Sequence, residues 1–456
     1  MSYKSFLTEA TRLLGTDWVL TDPALVACYA RDASVAAGTP QAVLLPGSTA
    51  EVAAVMKIAA KTGVPVTPRG AGTGLAGGAV AAQGIVLALT RLRALAVHPE
   101  DRVAVAGAGV TTATVHTAAA AAGLFYPPDP SSASVATIGG NIATNAGGPH
   151  GFKYGVTRDY VLGLEAVLAD GTVIQTGGRT LKNATGYDLT GLLCGSEGTL
   201  AIITGAILRL LPLPEATAGL VAAFSELEAA AQGVITVTGA GIVPAALELI
   251  DRTALSCAAP ALWTEPPAAV LWIEIDGPAE TVSRQVEEAA TLCRQAGASS
   301  TWTAAGKQRE EFYQLRRNVS GALVRRYPAK IGEDVVVPVS RVPAFIRSVV
   351  RIGAETGLAI AVFGHAADGN LHPNILFDPQ ETDPARVEAA ISAIFREALA
   401  CGGTLSGEHG VGILKAPYFE AAVGKECVRI MRGIKAVFDP RGLLNPGKIW
   451  PAEGVK

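Results

Sequence analysis

The chain has 456 residues, 49% of them hydrophobic and 17% charged, with 51 glycines, a formal net charge of -3 and a pI near 6.1. That length exceeds one typical core and predicts two domains or more, and the composition is that of a folded, soluble α/β protein rather than a disordered one. The mild acidity excludes the basic footprint of nucleic-acid binding, so small anions must be held locally.

From the N-terminus, MSYKSFLTEATRLLG mixes charges into an apolar pattern and reads as an amphipathic helix, not a signal peptide. Next, AVLLPGSTAEVAAVMKIAAKTGVPVTPRG reads strand, helix, strand, with Ser48 or Thr49 as the helix cap and Glu51 in its first turn. The loop that follows carries Gly70, Gly72, Gly74, Gly77 and Gly78. Glycines so spaced let backbone N–H groups converge on a phosphate or pyrophosphate, although no Gly-Lys-Ser/Thr follows and the spacing is not a Rossmann fingerprint.

Val103 to Pro128 carries no formal charge, yet Gly107, Gly109, four threonines, His116 and the terminal prolines divide it into strand, helix and loop. Ala229 to Leu247 is broken in the same way, so neither is expected to span a membrane. A second glycine-rich loop, Tyr126 to Gly155, is long enough to wrap a ligand, and two such loops separated by βα units predict a dinucleotide between them. Strands Val161 to Leu168 and Thr172 to Thr176 follow, joined at Asp170-Gly171. Leu193 to Ile203 forms a third wall. Beyond about Val221, strands such as Ala269 to Ile275 alternate with helices such as Ala279 to Ala296 and Val342 to Thr356, in two βαββαβ-like halves with helices on one face of a sheet. A helix from Pro417 to Val437 closes the chain.

Six cysteines, Cys28, Cys194, Cys257, Cys293, Cys401 and Cys427, form no CxxC pair, which argues against a zinc ribbon, an iron–sulfur cluster or a disulfide framework. Reduced thiols in a cytoplasm are expected. Half of the six histidines fall in FGHAADGNLHPNI and SGEHG. The first segment predicts a hairpin turning on Asp368-Gly369, which would set His365 directly opposite His372, with Cβ atoms about 5 Å apart. Two imidazoles and Glu408 suit Zn, Fe or Mn, leaving His409 as a base; a histidine pair on a solvated hairpin is the other reading.

PRGAGTGLAGG, PPDPSSASVATIGGNIATNAGG, KYGVTRDYV and GSEGTLAIIT resemble, in order and spacing, the FAD-binding domain of the vanillyl-alcohol oxidase / p-cresol methylhydroxylase superfamily. FGHAADGNLHPNI, SGEHGVG and FDPRGLLNPGKIW resemble its FAD-linked oxidase C-terminal half, nearest in kind to glycolate oxidase D-subunits and D-lactate dehydrogenases. The resemblance implies an α+β fold: an N-terminal helical segment (1–37), a two-part PCMH-type FAD-binding domain (38–217), a ferredoxin-like substrate domain (218–409) and a C-terminal segment (410–456) returning to the first. It implies FAD held by Arg69, Gly70, Ala71, Gly72, Thr73, Gly74 and Leu75 at the pyrophosphate. Pro128, Asp129, Ser132, Thr137, Gly140, Asn141, Ala143, Asn145, Gly148, Tyr154, Glu197, Gly198, Ile203 and Asn445 would meet the rest of the cofactor.

The first loop offers no histidine for a covalent tether, so FAD is expected to be non-covalent, and His150 is a polar loop residue. By the same resemblance the divalent metal sits on His365, His372 and Glu408 and polarises a 2-hydroxy acid, with His409 as general base. Arg316 grips the substrate carboxylate, and Lys330 and Asn370 are further substrate candidates. The expected reaction is oxidation of D-lactate or glycolate, with D-2-hydroxyglutarate oxidation or a same-fold alkyl transfer as alternatives. Electrons would pass to a partner, whether an electron-transfer flavoprotein, an iron–sulfur subunit or a quinone-linked acceptor. A homodimer or hetero-oligomer in the cytoplasm, at most peripheral to the inner face of the membrane, completes the expectation.

Overall fold

A computed structural model describes residues 3–259, 263 and 265–451. The chain forms two compact units, one from Met1–Gly147, Val156–Leu213 and Glu408–Lys456, the other from Gly148–Gly155 and Pro214–Gly407. The helix Tyr3–Leu14 opens the first unit, burying Phe6, Ala10 and Leu14 at helical spacing. They pack with Leu44, Val55, Met56 and Leu87 in one core cluster. In a four-stranded sheet, Ala42–Leu44 and Val66–Arg69 both run parallel to Ile85–Ala88. Ser48 caps the helix Thr49–Thr62 by accepting the Glu51 N–H, and Gly63 at φ 77 ends it.

Beside that sheet lies an antiparallel one, ordered Leu95–His98, Val103–Gly107, Ile202–Arg209, Val161–Val167 and Val173–Gly177. The uncharged stretch after Val103 is a strand, a ten-residue helix Thr112–Ala121 and a loop. Among the described residues no helix is long and apolar enough to cross a membrane. Leu444 returns from the far end of the sequence into the first core and bridges Val66 in parallel.

The second unit begins with Ala216–Phe224, a helix, Ala246–Asp251, Ala269–Gly277, the helix Ala279–Gln295 and Ala298–Ala304. Its sheet order, fourth strand, first, third, second, is that of a ferredoxin-like βαββαβ module. The sheet continues through Ala359–His365 and Asn370–Phe377 to Ala329–Gly332. That half follows the same rhythm, with the helix Val342–Thr356, except that its last strand is reduced to the single bridge Val336–Thr404.

Two local expectations are corrected. Pro417 to Val437 is not one helix: Ala416–Val423 and Lys425–Phe438 break at Gly424, whose φ of 82 no helix accommodates. The hairpin pairs Phe363 with His372 and His365 with Asn370, so its loop is the four residues from Ala366 to Gly369 rather than a two-residue turn. The cause lies in the neighbouring strand: Ala366 N–H donates to Leu247 O, pulling the chain toward that strand before it can reverse. The slip moves His365 from directly opposite His372 to the diagonal position, and a diagonal neighbour stays on the same face.

Candidate active site

In the first unit, the strand Val66–Arg69 runs straight into the glycine-rich loop. The N–H groups of Gly70 to Leu75 make no hydrogen bond among the described residues, so six consecutive donors are left to a ligand. Backbone shape forbids side chains where the loop is tightest. A Cβ on Gly70 would lie 2.3 Å from Thr137 Oγ1, and one on Gly72, at φ +74, 2.0 Å from Arg69 Nη2. Arg69 itself sits beneath the loop, donating to Arg31 O at 2.8 Å and lying 5.6 Å from the Tyr29 ring, and burial lowers its pKa. Gly74 O accepts the Ala33 N–H. A run of unclaimed donors without side-chain bulk fits an anionic pyrophosphate.

The second loop is held from behind. His116 Nε2 bonds Pro128 O at 2.8 Å, Ser132 O accepts the Val135 and Ala136 N–H groups, and Asp129 is buried. Thr137 caps the helix Ile138–Thr144 by accepting the Gly140 N–H. Asn141 turns inward and donates to Thr112 Oγ1, while Asn145, at φ 54, accepts the Arg158 N–H. Asn141 and Asn145 therefore spend at least one amide group each on shaping the loop. Gly148 and Tyr154 count with the second unit, where Tyr154 Oη donates to Asp276 and Lys153 pairs with the same carboxylate.

The third wall is an anchor. Ala143 O accepts the Glu197 N–H, Gly198 at φ 68 lies against Pro68, and Ile203 is buried in Ile202–Arg209. The Glu197 carboxylate, also buried, accepts Val411 N–H at 2.7 Å and Gly412 N–H at 2.8 Å. Burial raises its pKa, and those two N–H groups with Lys448 and Lys415 work against the rise. Asn445 donates to Gly78 O and to Glu197 O, tying the C-terminal segment to the first loop and the third wall.

In the second unit, strand register assembles a polar face. Along Asn370–Phe377, Asn370, His372 and Asn374 alternate with the buried Leu371 and Ile375, and the pairings on either side place Asp334 across from His372. Asp334, fully buried, accepts from Asn370 Nδ2 at 2.7 Å, Ser406 Oγ at 2.8 Å and Gly407 N–H at 2.9 Å. Its Oδ1 is 3.6 Å from His372 Nδ1. One strand over, Glu248 pairs directly across from His365 and its carboxylate takes both His365 Nδ1 and Arg316 Nε. Burial pushes Glu248 up, but Arg316 and His365 outweigh it and hold the carboxyl at about 2. Arg316 also lies 4.9 Å from the Phe363 ring centroid. Lys330 donates to Asn374 Oδ1 at 2.9 Å, and burial lowers its pKa.

Glu408 and His409 follow Gly407 directly in the chain, next to the N–H that Asp334 accepts. The imidazoles of His365 and His372, both buried, are donors of a kind that a divalent cation accepts. The His365 and His372 ring centroids lie 5.4 Å apart. Sequence reasoning did not single out Glu248 or Asp334. The available signal was an acid inside the apolar strand ALELID and another just before the apolar run VVVP.

Residues 213–449 match the family model described as FAD linked oxidases, C-terminal domain, and residues 40–177 match the FAD binding domain. The chain is 44% identical to the glycolate oxidase subunit GlcD of Bacillus subtilis over 427 residues, covering 91% of this chain and 90% of that one. It is 37% identical to the D-lactate dehydrogenase of Archaeoglobus fulgidus over 414 residues, covering 89% and 90%. Among solved structures, p-cresol methylhydroxylase with substrate bound superposes with a TM-score of 0.82 at 18% identity, covering 100% of this chain and 98% of that one. An alkyldihydroxyacetonephosphate synthase gives a TM-score of 0.76 at 17% identity, covering 98% and 86%. At those identities the two structures speak for the fold alone.

Proposed function

The chain belongs to the FAD-linked oxidases and is a FAD-dependent oxidoreductase, and from that premise we propose that it oxidises a small D-2-hydroxy acid, D-lactate or glycolate, to the 2-oxo acid with the help of a divalent cation. The observation that carries this reading is the buried polar face of the second unit, where His365 pairs with Glu248 and His372 lies beside Asp334, which also accepts the N–H of Gly407, the residue just before Glu408 and His409. The names of the relatives, a glycolate oxidase subunit and a D-lactate dehydrogenase, support the substrate class.

When bound, FAD supplies the two-electron acceptor, and Zn, Fe or Mn supplies a positive centre for the substrate oxygens. His365, His372 and Glu408 would hold the cation. Glu248 at His365 Nδ1 leaves Nε2 with its lone pair for a metal, the arrangement in which a carboxylate orients a ligating imidazole. Asp334 Oδ1 lies 3.6 Å from His372 Nδ1, a looser charge contact, and Asp334 is already engaged by three donors, which suits orientation better than ligation.

His409 takes the hydroxyl proton. Arg316, its Nε committed to Glu248, turns its terminal N–H groups to the substrate carboxylate, and Lys330 adds a second cation. Asn370 supports Asp334. FAD is held non-covalently, since no histidine lies in the first loop, and electrons leave to a protein or quinone-linked partner, the chain having no CxxC pair for a relay of its own.

Anaerobic addition of D-lactate, glycolate or D-2-hydroxyglutarate tests the reading. Bleaching of the flavin band by one of the first two, abolished by chelator or by His372→Ala, is expected. A flavin that no 2-hydroxy acid bleaches would remove the proposal.

A further inference from the structure

We infer that Glu197 is a positioning residue for Glu408 and His409, acting through the backbone of the loop that carries them, an inference that rests on the metal-assisted reading above. The stretch from Val411 to Leu414 is fixed on two sides. On one, the Glu197 carboxylate accepts Val411 and Gly412 N–H, one on each oxygen. On the other, Ala76 O accepts Ile413 and Leu414 N–H. Gly412 fits between them only as glycine, because at φ +53 its Cβ would lie 2.0 Å from Ala76 O. Gly410, at φ +80, also passes close, its Cβ position 3.0 Å from Glu197 Oε1. Glu408 itself packs against the second glycine-rich loop, its Oε2 3.0 Å from the Cβ position of Gly147.

A glutamate is an expensive choice for this place. It is 7% exposed and adopts a φ of 52, uncommon for a residue with a side chain, and it requires Lys448 and Lys415, 2% and 3% exposed, as buried counter-charges. A glutamine could not reproduce one N–H on each of two oxygens, since an amide has a single oxygen and would turn its own donor toward the second N–H. The carboxylate therefore sets where Val411 and Gly412 lie, and with them the two residues just upstream.

Glu197→Gln keeps the volume and loses one acceptor, but it also strands buried lysine charge and can fail to fold for that reason. The double variant Glu197→Gln/Lys448→Met removes charge on both sides and isolates the positioning role. With FAD-loaded protein, amide hydrogen exchange over residues 406–414 should accelerate at least tenfold in the double variant, with the thermal midpoint near that of wild type. Affinity for Zn²⁺, measured by competition with a chromogenic chelator, should fall roughly tenfold, as when an oriented ligand loses its support. Unchanged exchange over 406–414 in the double variant overturns the inference. If wild-type protein takes up neither Zn²⁺ nor Mn²⁺, the metal reading fails instead, and the exchange measurement still decides the positioning role.

Discussion

Replacing Glu248 with glutamine should unfasten the ion chain buried in the second unit. Glu248 is 1% exposed and its partners Arg316 and His365 are 7% and 4% exposed, so little water can take over when the charge is removed. Burial alone would raise its pKa; Arg316 and His365 bring it from 4.5 to about 2. At about 1.4 kcal/mol per pH unit, that corresponds to roughly 3 kcal/mol of stability. Deleting one partner of a buried pair elsewhere costs about 3–5 kcal/mol, which agrees. Because the folded pKa is depressed, the contribution is complete above about pH 4.5 and is lost as the pH falls toward about 2.

Urea unfolding followed by tryptophan fluorescence reads the right region, since Trp272 is 1% exposed and pairs across from Glu248. The variant should be less stable by roughly 3 kcal/mol at pH 7, with the gap to wild type narrowing by pH 3. A gap below about 1 kcal/mol at pH 7, or one that does not change with pH, would refute the reasoning.

Asp334→Asn keeps one acceptor but loses the charge beside His372; Zn²⁺ affinity should drop about 10–100-fold by chelator competition, and an unchanged value would show that Asp334 does not orient the ligand. Gly70→Ala forces a Cβ to within 2.3 Å of Thr137 Oγ1, so the purified variant should retain much less FAD, measured as the ratio of absorbance at 450 nm to that at 280 nm.

Most of the flavin half was legible because its signals are local. Glycines Gly70 to Gly78 mark a loop whatever surrounds them, and Ser48 followed by Glu51 marks a helix start within four residues. The helix Val342–Thr356 appeared where its periodicity put it. The second unit was legible as residue types but not as a network. His365 meets Glu248 across 117 positions and Ser406 meets Asp334 across 72, distances over which no spacing rule operates. The hairpin illustrates the boundary between the two cases. Asp368-Gly369 does lie in the reversal, but its length was decided by Ala366 bonding Leu247, a residue far away in sequence. The alternation of NLHPN survived the change because a diagonal shift keeps the face.

The bridge from Leu444 to Val66 has a consequence for synthesis. Leu443 O accepts the Val66 N–H, Asn445 donates its own N–H back to Val66 O, and its side chain holds Gly78 O and Glu197 O. The cradle is thus clamped by a residue translated 367 positions after Gly78. At about 5–20 residues per second, the first unit waits tens of seconds for its clamp while the whole second unit is translated and free to fold. A ribosome stalled before Leu443 would therefore carry every residue of the second unit while the loop after Val66 still lacked its clamp.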